Sequence, residues 1–253
     1  MSLIQGTGGG LGGAGAPGGA LGNFYSHLLD QSLKFNDDDN HYLTRTPASA
    51  GNRKTWTWSG WVKRGESGDG TGSNHFFLFN ASTDNIDFYQ NSIRFYFASG
   101  TSILTTNQVF RDYSAWYHLV FAVDTTQATA SDRMKIYVNG EQITSFSSST
   151  YPALNYEGSW NNAVAHNIAK NNATNYFHGY LSDIHFIDGQ ALDATSFGET
   201  VDGYWKAKDY AGTYGTNGFH LTFEDDVVSE GFNAVTYRGT GADQSISGLG
   251  FEP

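Results

Sequence analysis

The stretch WYHLVFAVD, residues 116–124, decides the fold, because it is apolar on both faces of an extended chain. Alternate side chains of a strand point to opposite sides. One side here carries Tyr117, Leu119, Phe121 and Val123, and the other carries Trp116, His118, Val120 and Ala122. No turn residue interrupts the run. The stretch therefore predicts a central strand that is covered on both faces, with His118 as a hydrogen-bonded core residue.

A hairpin is predicted directly after this strand, in MKIYVNGEQIT, residues 134–144. Met134, Ile136 and Val138 alternate with more polar neighbours, as expected for a strand with one buried face. Asn139-Gly140 supplies two residues that accept a positive φ, which a type I′ turn requires. We expect EQITSF to return from this turn as the antiparallel partner strand.

Further strand patterns recur at short intervals on both sides of this hairpin. They are SLKFN, HYLTRT, TWTWSGWVKR, NHFFLFN, SIRFYFA and GYLSDIHFIDG, with turn residues between them. In TWTWSGWVKR, the alternation places Trp56, Trp58 and Val62 on one face and Trp61 on the other. The chain is therefore predicted to be an all-β protein, an antiparallel jelly-roll β-sandwich that follows a Gly-rich N-terminal arm.

The composition excludes several classes of partner. The formal net charge is −11, whereas a nucleic-acid partner requires clustered Lys and Arg, and anionic membranes also attract basic segments. We therefore expect no nucleic-acid and no membrane partner. The chain has no cysteine, which excludes disulfides and thiolate chemistry. Charged residues are only 15%, so the surface consists largely of Asn, Ser, Thr and Gly, as is common in extracellular and virion β-proteins.

Composition also divides the chain. Ten of the 31 glycines lie in residues 6–22, and FYSHLL follows at residues 24–29. We expect residues 1–31 to be a Gly-rich arm with an apolar anchor and residues 32–200 to be the jelly-roll domain. Residues 201–253 are expected to be a C-terminal extension, and whether they begin a truncated further module stays open.

The arm is the predicted assembly element. Ordering a glycine-rich chain costs about 1–2 kcal/mol per residue in backbone entropy, which its few apolar side chains cannot offset. We therefore expect the arm to become ordered only against a neighbouring subunit, through Gly8, Gly9, Gly10, Phe24 and Tyr25. The alternative interpretation is a flexible linker.

Five segments together resemble the concanavalin A-like lectin/glucanase superfamily, in particular its laminin-G-like and pentraxin-like branch. They are SLKFNDDDNHYLTRT, WTWSGWVKR, WYHLVFAVD, RMKIYVNGEQI and YFHGYLSDIHFIDGQAL. AGNRKTWTWSGWVKR and YAGTYGTNGFHLTF are also similar to segments of structural proteins of tailed phages, especially marine ones. This second resemblance implies a virion protein such as a fibre, tail appendage or capsid decoration, which acts as a homo-oligomer among other virion subunits in an extracellular particle.

The resemblance to glucanases requires a test for catalysis. Retaining glycoside hydrolysis needs two carboxyl groups about 5–5.5 Å apart. The nearest pattern, EDDVVSE, offers Glu224 and Asp226, but Val228 and Ser229 stand where the second acid of the glucanase motif would be. We therefore expect no enzyme activity.

The resemblance to laminin-G-like domains implies a Ca²⁺ site at the sandwich rim, and Ca²⁺ is the one cofactor that we consider. The candidate ligands are Asp37, Asp38 and Asp39, which stand beside Asn40, together with Asp183 and Asp188. The alternative, which we favour, is a solvated acidic turn whose side chains bond their own backbone.

The superfamily resemblance also implies carbohydrate binding, for which aromatic residues in polar loops are the candidates. These are Trp160 and Asn161 in YEGSWNNAVAHN, and Tyr176 in NNATNYFHG. Host surface glycans are the expected ligands. Two alternatives to a virion protein stay open, namely a stand-alone lectin and a non-catalytic module of a secreted enzyme.

Overall fold

The computed structural model describes residues 27–65, 75–171 and 175–223, and its regular structure is almost entirely β. The strands in chain order are β1 (Leu33–Phe35), β2 (Leu43–Arg45), β3 (Thr55–Arg64), β4 (His75–Ala81), β5 (Asp84–Tyr89), β6 (Ser92–Phe97), β7 (Ser102–Val109), β8 (Tyr117–Asp124), β9 (Met134–Val138), β10 (Glu141–Gln142), β11 (Phe146–Ser149), β12 (His166–Ile168), β13 (Gly179–Asp188), β14 (Gly198–Val201), β15 (Tyr204–Ala207) and β16 (Phe219–Leu221). Three short 3₁₀ turns lie at Ala98–Gly100, Ala130–Asp132 and Ala194–Ser196.

The strands form two seven-stranded antiparallel sheets and one separate hairpin. The first sheet has the order β1-β13-β3-β8-β9-β10, with β16 also paired to β13. The second has the order β11-β7-β6-β5-β4-β12-β2, and β14 pairs with β15 alone. The sheets pack face to face around one aromatic-rich core. The predicted all-β jelly-roll sandwich is thus confirmed. Among the described residues, no helix is long and apolar enough to cross a membrane.

Strand β8 is the predicted strand with two covered faces. It pairs with β3 on one side and with β9 on the other. Leu119 and Phe121 point into the core between the sheets, while Val120 packs on the opposite face against Ile187 and Phe197. We call this second side the outer face of the first sheet. Because a small apolar cluster covers it, the strand is apolar on both sides.

The hairpin at Asn139-Gly140 is also confirmed. Asn139 has φ 48° and Gly140 has φ 88°, as a type I′ turn requires. The return strand, however, is shorter than predicted. Only Glu141–Gln142 pairs with β9, and Phe146–Ser149 pairs with β7 in the other sheet. The segment EQITSF therefore crosses between the sheets, which the alternation of its side chains could not indicate.

The sandwich continues beyond the expected domain boundary at residue 200. That boundary falls inside strand β14, whose partner is β15. Strand β16 then extends the first sheet by pairing with residues 184–186 of β13. The described part of the expected extension, residues 201–223, thus contributes two strands to the same fold.

Candidate functional site

A groove of about 690 Å³ lies on the outer face of the first sheet. Residues 27–32 line the groove, and strand β15 forms a wall of it with Tyr204 and Trp205. Trp61 of β3 and Trp116 also line the groove. Trp61 reaches the outer face because the alternation of β3 turns Trp56, Trp58 and Val62 into the core. The volume is within the range of ligand sites in proteins.

Aromatic and apolar surface is exposed along this groove. Tyr204 is 68% exposed, Leu28 is 60% exposed and Trp116 is 36% exposed. Large apolar side chains that converge on one concave surface mark interaction sites more often than scattered ones do. Asp30 and Gln31, which are both exposed, also line the groove and add polar groups to it.

The indole of Trp205 is held in place from two directions. Its Nε1–H donates a hydrogen bond to Nδ1 of His118, with 3.0 Å between the nitrogen atoms. In addition, a Cβ atom at Gly140, in the β9–β10 turn, or at Gly198, on the neighbouring strand β14, would lie only 2.4 Å from the indole ring. Both positions therefore need glycine if the ring is to lie there. One hydrogen bond and close packing thus fix the position of Trp205 in the groove wall.

The protonation of His118 follows from these partners. An indole N–H can only donate, so Nδ1 of His118 accepts and carries no proton. The single proton then lies on Nε2, which donates to Oγ of Ser59 at 2.9 Å. Burial lowers the pKa of His118 to about 3, which keeps the ring neutral. The expectation of a hydrogen-bonded core histidine is met, and the residue also positions the groove wall.

A separate cluster contains three side chains that can bind a metal ion. They are Asp183 and His185 of β13 and His220 of β16, and we call them the Asp183 cluster. Asp183 Oδ1 lies 2.7 Å from His220 Nε2 and 3.2 Å from His185 Nε2. Burial raises the pKa of Asp183, but the close imidazoles of His185 and His220 outweigh burial and hold that pKa below its ordinary value. Within the described ranges this is the one such group of three His, Cys, Asp or Glu residues.

The expectation that Trp160 and Asn161 contact sugar is wrong, because both side chains are fully buried. The Trp160 ring packs 4.8 Å from Trp56 of the first sheet and 5.5 Å from Phe95 of the second. A loop aromatic that reaches between two sheets gains more by completing the core than it would in water. Asn161 donates through Nδ2 to the Asp188 carboxylate and to the Asn52 carbonyl, and thereby joins three chain segments.

Tyr176 is partly exposed and stays a candidate for sugar contact. It packs against Tyr42, with 6.2 Å between ring centroids. The ammonium of Lys170 lies 4.1 Å from the Tyr42 ring centroid and 5.4 Å from that of Tyr176. These three residues form a second, smaller aromatic patch, which we call the Tyr176 patch.

The acidic turn does not gather its three carboxylates around one point. Asp37 pairs with His178 at 2.6 Å, and Asp39 accepts a hydrogen bond from Asn36 at 2.6 Å. Asp38 is exposed, and its backbone N–H bonds the Asp37 side chain. These contacts fit the alternative to a Ca²⁺ site, namely an acidic turn whose side chains form hydrogen bonds within the turn.

The remaining acidic candidates are buried. Asp188 accepts hydrogen bonds from the Asn52 and Asn217 backbone N–H groups, while Asp183 belongs to the cluster with His185. Since neither lies at the acidic turn, a rim Ca²⁺ site composed of all five candidates is not formed.

Several sequence candidates lie outside the described residues. These are the arm residues Gly8, Gly9, Gly10, Phe24 and Tyr25, and the acidic pair Glu224 and Asp226.

A sequence-family model described as the concanavalin A-like lectin/glucanases superfamily matches residues 36–196, more than half of the chain. The chain belongs to this superfamily. The match ends at residue 196, so strand β15, with Tyr204 and Trp205, and strand β16, with His220, lie beyond the matched region. The groove and the Asp183 cluster are therefore each completed by residues that the superfamily match does not include.

Solved structures resemble this superfamily member only distantly. A heptameric SAP-like pentraxin from Limulus polyphemus is 13% identical, with a TM-score of 0.42, over 60% of this chain and 70% of its own. The mouse laminin alpha1 chain, domains LG4-5, is 10% identical with a TM-score of 0.43, over 83% of this chain and 50% of its own. The binding domain of botulinum neurotoxin serotype G is 16% identical with a TM-score of 0.44, over 65% and 40% respectively. None of the curated proteins matches the sequence.

Sequence reasoning missed the groove, although one signal for it was present. Asp202-Gly203 has φ values of 52° and 82° and forms the turn between β14 and β15. An Asp-Gly pair between short apolar segments is a strong hairpin signal. It would have identified the hairpin, but not the sheet face on which the hairpin packs.

Proposed function

We propose that the protein is a carbohydrate-binding structural component of a phage virion, which holds host-surface glycans in the outer-face groove. The observation that carries this proposal is the convergence of Trp116, Tyr204 and Trp205 on one groove with polar side chains between them. The C–H faces of a sugar ring are weakly positive and pack against the negative face of an aromatic ring. The hydroxyl groups at the sugar's edge need donors and acceptors, which the exposed side chains of Asp30 and Gln31 supply.

Binding without hydrolysis is part of the proposal. A glycosidase needs two carboxyl groups on opposite sides of the scissile bond. Among the described residues that line the groove, Asp30 is the single carboxylic acid. His118, the histidine nearest to Trp205, has a pKa lowered by burial to about 3 and uses both ring nitrogens in hydrogen bonds. Within the described residues, the groove lining therefore lacks the second carboxyl group that hydrolysis by this mechanism requires.

The virion setting is supported by the sequence. AGNRKTWTWSGWVKR and YAGTYGTNGFHLTF are similar to segments of tailed-phage structural proteins. We propose that the Gly-rich arm joins the subunit to its neighbours in the particle and that the sandwich is displayed outward. Labelling purified particles with an antibody against residues 32–200 tests this placement, and labelling is expected on intact particles. Absence of the chain from particles would favour the stand-alone lectin.

A glycan array followed by affinity measurements tests the binding site. Trp116→Ala and Tyr204→Ala should each weaken the selected glycan about tenfold, or about 1.4 kcal/mol. Tyr89→Ala is the matched control, since Tyr89 is 38% exposed but lies on strand β5 of the second sheet. It should leave the affinity unchanged.

The same experiment separates the two aromatic surfaces. If Tyr176→Ala abolishes binding and both groove variants bind normally, the ligand occupies the Tyr176 patch and the groove assignment is wrong. If no glycan binds at all, the proposal of carbohydrate recognition fails.

A further inference from the structure

We propose that Asp183, His185 and His220 form a binding site for a divalent transition-metal ion, for which Zn²⁺ is the appropriate probe. The three ligand atoms, one carboxylate oxygen and two imidazole nitrogens, all lie within 4.8 Å of one another. The inference is independent of the proposed glycan function, because it rests on different residues and needs no sugar.

The fold brings these ligands together across two paired strands. His185 and His220 are direct partners in the antiparallel pairing of β13 with β16. Their rings stack with 4.0 Å between centroids and 15° between planes, and Nε2 of each ring lies near Asp183 Oδ1. Asp183 sits at an irregularity of β13 between Ser182 and His185, with φ 50°. Residues 183 and 185 are two positions apart, so strand alternation places both side chains on one face, where the Asp183 carboxylate reaches the two rings.

A second observation, an unpartnered buried nitrogen, points to a ligand at this cluster. The His185 side chain is 2% exposed, and its Nε2 has no hydrogen-bond partner among the described residues. Asp183 Oδ1 is 3.2 Å away, but not in hydrogen-bonding alignment. A buried nitrogen in this state costs free energy unless something binds it. A metal ion at the centre of the three atoms would accept its lone pair.

The other nitrogen of His185 is placed as in a metal-binding histidine. Nδ1 lies 2.9 Å from the hydroxyl of Tyr214, and when Nδ1–H donates to that hydroxyl the lone pair remains on Nε2. Metal-bound histidines depend on such an outer hydrogen bond to hold the ring and its tautomer. Tyr214 therefore acts as a positioning residue for the site.

The donor set selects the class of ion. Two imidazoles and one carboxylate suit zinc and its neighbours in the first transition row, whereas Ca²⁺ requires six to eight oxygens. Ligand atoms around tetrahedral zinc lie about 3.4 Å apart, given bonds of about 2.0–2.1 Å. The observed 2.7 Å between Asp183 Oδ1 and His220 Nε2 must open slightly, as the ion replaces the hydrogen-bonded proton between them.

The site has a solvent-facing side and a structural consequence. The His220 side chain is 30% exposed, so an ion can enter past this ring, and three protein ligands leave one position for water. Because the ligands belong to β13 and β16, a bound metal ion would cross-link β16 to the first sheet. The protein should therefore be more resistant to thermal unfolding with the ion than without it.

Metal titration of the full chain after treatment with a chelator tests the proposal. Zn²⁺ should bind in a 1:1 ratio by isothermal titration calorimetry and raise the unfolding temperature. His220→Gln should weaken binding at least about tenfold, since loss of even an outer-shell partner costs that much. The partly exposed position of His220 makes a folded variant obtainable, which circular dichroism verifies. His41→Gln, at an exposed histidine outside the cluster, should bind Zn²⁺ like the unmodified protein.

Cobalt supplies a second readout that does not depend on stability. Co²⁺ bound by two imidazoles and a carboxylate should give visible absorption bands, and His220→Gln should lose them. If the unmodified protein binds neither Zn²⁺ nor Co²⁺, or if His220→Gln binds both as well as His41→Gln does, the proposal is overturned.

Discussion

The protein should lose stability between pH 7 and pH 5, and replacing His118 with glutamine should make this loss smaller. Burial lowers the pKa of His118 to about 3, whereas a histidine in the unfolded chain titrates near 6.5. Below pH 6.5, His118 therefore binds a proton in the unfolded state but stays neutral in the folded state. This contribution to stability is fully present above pH 6.5 and is lost as the pH falls toward 3.

The magnitude follows from these two pKa values. Proton linkage costs about 0.2 kcal/mol at pH 7 and about 2 kcal/mol at pH 5, so His118 should account for roughly 2 kcal/mol of the difference. Glutamine cannot take up a proton in this range. The loss of stability between pH 7 and pH 5 should therefore be roughly 2 kcal/mol smaller in the variant. It should also be less stable at pH 7 by about 1 kcal/mol, because Trp205 Nε1 loses its acceptor.

Urea unfolding of both proteins at pH 7 and pH 5 measures this effect. Other titrating groups contribute equally to both proteins, so the difference between the two pH-dependent losses isolates His118. His41→Gln is the control and should lose as much stability as the unmodified protein. Equal losses in the unmodified protein and in His118→Gln would show that His118 is not held neutral by burial.

Three further predictions concern the turn, the core and the arm. Gly140→Val should lower the free energy of unfolding by about 2 kcal/mol or more, because Gly140 has φ 88° and a Cβ there would lie 2.4 Å from Trp205; an unchanged urea midpoint would contradict this. Trp160→Ala should cost about 3–5 kcal/mol in the same assay, whereas Trp116→Ala should cost far less, since Trp160 is fully buried and Trp116 is 36% exposed. Deleting residues 1–22 should leave the circular dichroism spectrum of the sandwich unchanged but prevent incorporation into particles; normal incorporation would mean that the arm is only a linker.

The elements that sequence predicted well are those whose signal is local. The alternation in MKIYV and the Asn139-Gly140 pair specify a hairpin whatever surrounds them, because side-chain period and turn conformation belong to the segment itself. The two apolar faces of residues 117–124 likewise required cover on both sides, and the structure supplies it.

The features that the sequence could not predict depend on tertiary contacts between distant segments. Trp160 and Tyr176 occupy similar polar loops, yet Trp160 completes the core and Tyr176 is partly exposed. His185 and His220 are 35 positions apart and show no metal-ligand spacing, and only the pairing of β13 with β16 brings them together. Tertiary packing decides both cases, and local pattern carries no information about it.

The most direct test of glycan binding in the groove is a two-dimensional NMR titration that follows the tryptophan indole N–H signals. The six tryptophans divide into Trp61, Trp116 and Trp205 at the groove and Trp56, Trp58 and Trp160 in the core. Addition of the glycan selected on the array should shift the three groove signals progressively and leave the three core signals in place. A glycan that binds with measurable affinity and yet leaves the signals of Trp116 and Trp205 unmoved would contradict the assignment of the groove.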